Sequence, residues 1–106
     1  MDDAEIKRKC LIYREVLLRK KITPDVILLF GSHAKKNAGK NSDVDLAVVS
    51  RNLGKNRLKE GALLNLLVWD VFPEAEVVPI GLNEYLSTES VSPILREIKR
   101  YGRAIL

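Results

Sequence analysis

The sequence has little of what disulfide-stabilised, zinc-binding or membrane-spanning proteins need. Its 106 residues include one cysteine, Cys10, and one histidine, His33. A single cysteine cannot form an internal disulfide, and no second cysteine or histidine is spaced as a metal ligand. No apolar run approaches the ~20 residues of a membrane span, and the acidic start Met1-Asp2-Asp3 lacks the apolar core of a signal peptide. We therefore expect a cytoplasmic protein without a membrane segment.

The composition is that of an ordinary globular domain. Hydrophobic residues make up 46% of the chain and charged residues 30%, and this length suits one domain, which we place over residues 1–106. The net charge of +4 permits binding to a nucleotide or an acidic protein. Aromatic residues are only 6% of the chain and do not alternate with a basic stripe, so nucleic acid is not the favoured partner.

Hydrophobic spacing divides the chain into alternating helices and strands. The predicted elements are a helix over 3–21, a strand over 26–30, a short basic turn or helix, a strand from residue 42, a helix over 57–71, a strand over 75–80, a short turn over 82–86 and a helix from residue 93. This order predicts an α/β domain with a small mixed β-sheet flanked by helices.

Particular residues sharpen this outline. In the first helix Ile6, Cys10, Tyr13 and Leu17 recur at helical spacing, so we expect all four in the core, with Cys10 as a packing residue. Pro79 cannot donate to a sheet ladder, which predicts that the third strand lies or ends at a sheet edge. For the last helix, Ser92 is the expected N-cap, Pro93 the first helical residue and Gly102 the stop, and the apolar tail 104–106 is expected to pack back or to pair.

The predicted helix over 57–71 has an unusually broad apolar surface. One stripe is expected to contain Leu63, Leu66, Leu67 and Val71, widened by Leu64, Val68 and Trp69. Such a surface indicates either deep burial or contact with a partner protein. Trp69 is expected in the core.

A Gly-Ser step, Gly31-Ser32, directly follows the first strand. Glycine lets the backbone approach a ligand closely, and the amides at a helix start bind phosphate well. The alternative is a simple strand-to-helix turn in which Ser32 is an N-cap.

Two aspartates one residue apart, Asp43 and Asp45, open the second strand. Residues two apart on a strand point the same way, so their carboxylates can converge on a pair of divalent metals. The alternative is a turn aspartate followed by a solvent-facing one, but two such acids repel each other unless a cation offsets them. Phosphate and metal binding within residues 30–49 together predict nucleotide chemistry.

These residues carry a family resemblance. The motifs Gly31-Ser32-x-Ala34 and Ser42-Asp43-x-Asp45-Leu46 resemble the signature of the nucleotidyltransferase superfamily, which has the fold of DNA polymerase β. The short length resembles the minimal nucleotidyltransferase branch, often the antitoxin of HEPN-type toxin–antitoxin pairs. The resemblance implies a polymerase β-like fold and transfer of AMP from ATP to a hydroxyl acceptor.

The same resemblance implies roles for individual residues. Asp43 and Asp45 are expected to hold two Mg²⁺ ions, and Gly31, Ser32 and Ser42 to bind the nucleotide. A third carboxylate, usually an aspartate in the family, is expected on the third strand, both as a metal ligand and to help deprotonate the acceptor. Here that position is occupied by Glu76. The alternative interpretation is that Glu76 is an ordinary surface residue. If it is not the third carboxylate, Glu74 is the next candidate.

The acceptor is expected to be a tyrosine on a cognate HEPN-type toxin, because few residues remain to bind a small acceptor. Two other functions stay open. The first is a non-catalytic module that caps a partner protein, and the glutamate at position 76 is the argument for it. The second is an adenylyltransferase that acts on a small molecule. A homo-oligomer and a hetero-oligomer are both compatible with the sequence.

Overall fold

A computed structural model of the chain describes residues 1–31, 43–88 and 92–106. The elements in these ranges are, in chain order, α1 (Asp3–Arg19), β1 (Val26–Phe30), β2 (Val44–Ser50), α2 (Arg57–Trp69), β3 (Ala75–Gly81), α3 (Leu82–Leu86), α4 (Pro93–Tyr101) and β4 (Arg103–Ala104). The strands form one sheet in the order β3-β2-β1-β4. In it β1 is antiparallel to β2 and β4, while β2 and β3 are parallel. The predicted α/β class with a small mixed sheet is confirmed.

Helix α1 begins at an aspartate cap. Asp2 Oδ1 accepts a 2.8 Å hydrogen bond from the backbone N–H of Glu5, which would otherwise lack a partner within the helix. The helix ends at Arg19, slightly before the predicted end, and Lys21 then adopts a left-handed φ of 62°. The predicted stripe is buried as expected: Ile6, Cys10, Tyr13 and Leu17. Burial raises the pKa of the Cys10 thiol to about 12, which keeps it protonated and suits a packing residue.

Alternation along the strands gives the sheet two differently covered faces. The first, named here the α1/α2 face, presents Ile27, Leu29, Val44, Leu46, Val48 and Val77 to buried side chains of α1 and α2. The second, named the α4 face, presents Leu28, Phe30, Ala47, Val49 and Ile80 to Leu95 and Ile98 of α4. The two apolar layers lie on opposite sides of one sheet.

Deep burial, one of the two outcomes predicted for the broad apolar surface of α2, holds for only part of that surface, and contact with a partner protein stays a prediction. Only Leu64 and Val68 of the helix are buried, and Leu67 is half-buried. Leu66 and Trp69 are 70% and 68% exposed, so Trp69 is not a core residue. The helix is apolar almost all round, so its sequence does not say which side meets the sheet, and a helix resting on a sheet buries only one side.

The position of Pro79 and the limits of helix α4 agree with the prediction. Pro79 lies in β3, which is an edge strand. Ser92 occupies the N-cap position of α4 but its side chain makes no capping hydrogen bond. Pro93 is the first residue of the helix, and Gly102 donates its N–H to the carbonyl of Ile98 where the helix stops. No helix in the described parts of the chain is long and apolar enough to cross a membrane.

The C-terminal tail both pairs and packs back. Ala104 of β4 pairs with Leu28 of β1. Beyond the strand, Ile105 donates its backbone N–H to Ile27 O at 2.8 Å, and Leu106 O accepts from Ile27 N at 3.2 Å. The side chains of Ile105 and Leu106 pack against the α1/α2 core.

Candidate active site

The predicted carboxylates lie at one end of the central strands. Asp45 is the second residue of β2, and its partner on the parallel neighbour β3 is Glu76. Registered residues on adjacent strands point to the same face at a spacing of about 5 Å, so these two side chains are neighbours. On its other side Asp45 is registered with Phe30 of β1. Strand pairing thus brings together acids that are 31 positions apart in the sequence.

Asp43 lies immediately before β2, and the ladder continues to this level. Val44 N donates to the carbonyl of Glu74 at 2.9 Å, just before β3 begins. Val44 is buried on the α1/α2 face, so alternation directs Asp43 and Asp45 towards the α4 face, where Phe30 also lies. The predicted shared direction of the two aspartates therefore agrees with the strand geometry.

Among the described residues, the acids at this end of the α4 face are wholly or partly exposed. Asp43 and Glu76 are exposed and Asp45 is half-buried, whereas Val44 and Leu46 on either side of Asp45 are fully buried. The buried cluster that contains Leu95 and Ile98 of α4 includes Ala47 and Val49 of β2 and Phe30 of β1, but none of the three acids. The acids therefore remain hydrated at the point where the apolar cover stops, which avoids the cost of burying charge.

Gly31 has a geometric role beside these acids. It follows β1 directly with a φ of +69°, a conformation that side chains other than glycine rarely adopt. A Cβ atom at this position would overlap Oδ2 of Asp45. The left-handed φ therefore favours glycine here, and a side chain at this position would displace the Asp45 carboxylate. Contact between its backbone and a phosphate stays a prediction.

The other predicted nucleotide ligands, Ser32 and Ser42, lie outside the described residues, as does His33. In the described ranges, no three His, Cys, Asp or Glu side chains form a ready-made metal cluster. The donors present are carboxylates on adjacent strand ends, which suit a hard cation such as Mg²⁺. Magnesium is commonly bound by one or two carboxylates together with substrate phosphates rather than by an all-protein cage. The donor chemistry therefore fits Mg²⁺ bound jointly with a nucleotide.

Glu74, the alternative third carboxylate, is held by α1. Lys9 Nζ lies 3.1 Å from Glu74 Oε1 and 5.2 Å from the centre of the Phe72 ring. The backbone N–H of Glu74, and after it the hydrogen bond from Lys9, hold the pKa of this carboxyl below its usual range. Because Glu74 is engaged with Lys9, Glu76 is the better placed of the two to act with Asp45.

Asn65 of α2 is a supporting residue that the sequence analysis missed. Its side chain accepts from Val77 N at 2.9 Å and donates to Val77 O at 2.8 Å, and it also donates to Gly61 O. It therefore satisfies backbone groups of the edge strand β3 that no further strand can pair. Val77 directly follows Glu76, so Asn65 fixes the strand that carries this acid. A polar residue among the leucines of α2 was the available signal.

The sequence analysis also missed a cavity at the opposite end of β2 and β3. Its volume is about 350 Å³, within the range of small-molecule sites. It opens beyond the carboxyl ends of these parallel strands, far from the acids. Its lining residues are Arg51, Leu53, Gly54, Lys55, Gly81, Leu82, Asn83 and Glu84.

Comparison with known proteins defines the class. Residues 15–101 match the family described as polymerase beta, nucleotidyltransferase, and the chain belongs to this family. The resemblance drawn from the Gly-Ser and Asp-x-Asp motifs is confirmed at the level of family and fold.

Particular relatives are more specific. A proposed protein adenylyltransferase of Methanocaldococcus jannaschii is 35% identical over 72 residues, covering 65% of this chain and 49% of the relative. The chain thus spans about half the length of that relative. A chain from a toxin–antitoxin complex with AMP-PNP superposes with a TM-score of 0.61 at 22% identity, covering 94% of this chain and 72% of the other.

A second solved structure is similar in extent. It contains a tri-AMPylated Shewanella oneidensis HEPN toxin in complex with an MNT antitoxin. One of its chains superposes with a TM-score of 0.58 at 20% identity, covering 99% of this chain and 72% of the other. At these identities the structural similarity establishes a shared fold.

Proposed function

We propose that this chain is a Mg²⁺-dependent protein adenylyltransferase that transfers AMP from ATP to a tyrosine hydroxyl of a HEPN-type toxin. The observation that carries the proposal is the register of Asp45 with Glu76, beside Asp43, at the uncovered end of a nucleotidyltransferase sheet. Supporting it, one relative is named for protein adenylyltransferase activity and one structural neighbour contains an AMPylated HEPN toxin.

In this proposal Asp43 and Asp45 hold two Mg²⁺ ions, with Glu76 as an additional oxygen ligand. When bound, the ions neutralise charge on the triphosphate. Gly31, Ser32 and Ser42 position the nucleotide. Of these, Gly31 also leaves space for the observed position of the Asp45 carboxylate, which an added Cβ would displace.

The chemical step is an in-line substitution at the α-phosphorus. Glu76 accepts the proton of the acceptor hydroxyl, and the hydroxyl oxygen forms a bond to the α-phosphorus. The bond from that phosphorus to the oxygen bridging the β-phosphate breaks. The products are the adenylylated acceptor and pyrophosphate. We place this reaction in the cytoplasm, which suits a chain whose single cysteine is a buried thiol.

Intact mass spectrometry tests the proposal. We would co-express the chain with the protein encoded beside it and measure that protein's mass, with Asp43→Asn as the inactive variant. Glu15→Gln, an exposed acid on α1 away from the site, is the matched control. The expected result is one or more added AMP units with the unchanged chain and with Glu15→Gln, and none with Asp43→Asn.

The same experiment separates the two alternatives. A tight complex without added mass would contradict transfer and favour a non-catalytic cap, for which the glutamate at position 76 is the supporting feature. If no complex forms, ATP consumption with small hydroxyl compounds, absent in Asp43→Asn, would instead favour a small-molecule acceptor.

A further inference from the structure

Helix α2 carries an apolar stripe on its outer side. The stripe comprises Leu58, Ala62, Leu66 and Trp69, and it is named here the α2 stripe. Leu58 is 86% exposed, Leu66 70% and Trp69 68%. Spacings of four, four and three residues place all four on one side of the helix, away from the buried Leu64 and Val68. The stripe is therefore continuous, and residues 1–31, 43–88 and 92–106 leave it exposed.

The exposed area is large for so small a chain. Three large side chains exposed to this degree present on the order of 500 Å² of apolar surface, the size of the largest patch on a typical monomer, which is often functional. Two copies of the stripe in full contact would bury at most about 1,000 Å² in total, which reaches the lower limit for a specific interface. A second copy of the chain therefore offers enough surface.

The charges beside the stripe are arranged for a second copy. Lys59 and Asp70 lie eleven residues apart, which is about three helical turns and roughly 16 Å. They are consequently on the same border of the stripe, near its opposite ends. Within residues 1–31, 43–88 and 92–106, neither side chain has an ion-pair partner. A two-fold axis that pairs α2 helices antiparallel places Lys59 of each copy against Asp70 of the other.

We propose that the chain forms a symmetric dimer through the α2 stripe, with antiparallel α2 helices and two Lys59–Asp70 ion pairs. A two-fold contact uses the same surface on both copies, so the surface must be complementary to itself, and the opposite charges at the two ends supply this. The inference does not depend on the transferase activity.

Sedimentation equilibrium over about 1–300 µM, combined with tryptophan fluorescence, tests the dimer. Trp69 is the only tryptophan of the chain, so its emission should shift to shorter wavelength as the dimer forms. Leu66→Glu should weaken association at least tenfold. Leu86→Glu is the matched control, since Leu86 is 66% exposed but lies on α3, and it should leave association unchanged.

Charge reversal tests the antiparallel arrangement. Lys59→Asp or Asp70→Lys alone should weaken association about tenfold, because each change occurs twice in a symmetric dimer and replaces attraction by repulsion. The double variant Lys59→Asp/Asp70→Lys should recover the unchanged affinity. Circular dichroism melts control for folding.

Three results would overturn the proposal. A monomer at all concentrations would assign the stripe to another protein, and a dimer without the tryptophan shift would lie elsewhere on the surface. A double variant that stays as weak as the single ones would contradict the antiparallel pairing.

Discussion

The two faces of the sheet use the same strands in different ways. The α1/α2 face is covered by apolar side chains along its whole length, from Val44 at one end of β2 to Val48 near the other. On the α4 face Phe30 is buried at the level of Asp45, but on β2 and β3, within the described parts of the chain, Asp45 is only half-buried and Glu76 is exposed. A strand that is half in the core can therefore carry acids on its other face without burying their charge.

This division predicts that stability and chemistry are separable along β2. Asp45 and Leu46 are consecutive residues on opposite faces of one strand. One lies at the open end of the α4 face and the other in the middle of the closed core. The following variants test how far the separation extends, in order of decreasing expected effect.

The largest effect is expected from Asp45→Asn, and Asp43→Asn should behave alike. Either change removes a proposed metal ligand, which should lower transfer at least ~10³-fold through several kcal/mol of lost transition-state stabilisation. The midpoint of thermal unfolding should fall much less than after truncation of a core residue, because these carboxylates lie at the exposed end of the strand. Activity and a melt on each variant measure both. Full activity in either variant would contradict the metal assignment.

Leu46→Ala should show the opposite pattern. It truncates a fully buried side chain on the closed face, which should lower the free energy of unfolding by about 2–5 kcal/mol. Transfer by the remaining folded protein should change little. Denaturant unfolding and activity at low temperature measure this, with the exposed Leu86→Ala as control. A large loss of activity per folded molecule would show that the two faces are coupled.

Glu76→Gln distinguishes the two tasks proposed for the open end. Loss of the proton acceptor should lower turnover roughly 10²-fold, while Mg·ATP affinity stays nearly constant. Calorimetric titration with Mg·ATP and steady-state kinetics separate these quantities, and Glu15→Gln is the control. Loss of nucleotide binding together with turnover would instead make Glu76 a primary metal ligand.

Gly31→Ala should lower both transfer activity and stability. The added Cβ collides with the Asp45 carboxylate and a left-handed φ is forced on alanine, so we expect about tenfold lower transfer and about 1 kcal/mol lower stability. Gly61→Ala is a suitable control, because a Cβ there meets Pro79 only at ordinary contact distance. Unchanged activity would mean that Asp45 can be displaced without loss of function.

The smallest effect is expected from Asn65→Ala. The change removes the side-chain hydrogen bonds to Val77 and should cost about 1 kcal/mol, since water can reach an edge strand and replace part of them. Because Glu76 precedes Val77, turnover should fall a few-fold at constant ATP affinity. Asn83→Ala is the control for an exposed asparagine. A variant with lower stability but unchanged turnover would mean that Asn65 stabilises the fold without positioning Glu76.

Local signals in the sequence were the reliable ones. Pro93 and Gly102 delimit α4 as predicted, because ring constraints and helix-end geometry act within a few residues. In α1 the residues Ile6, Cys10, Tyr13 and Leu17 share one side of the helix, and their burial agreed with helical spacing although Leu11, Ile12 and Leu18 are exposed on other sides. The position of Pro79 at an edge followed from its missing N–H.

For α2, helical spacing did not identify the buried residues. Leu58, Leu63, Leu64, Leu66, Val68 and Trp69 are distributed around the helix, so several stripes satisfy helical spacing equally well. Packing against β3 and α1 selected Leu64, and it left Leu66 and Trp69 outside. When a helix has apolar residues on every side, its own sequence does not indicate which side is buried against neighbouring elements.

The sequence by itself determined the α/β class, the acids Asp43 and Asp45 on one side of a strand, and the family to which they belong. Strand alternation and short motifs express these within a few residues. Only the tertiary structure decided that Glu76 registers with Asp45, and that Gly31 makes room for the Asp45 carboxylate. Both contacts join separate elements, and their geometry depends on the pairing of whole strands, which no single segment specifies.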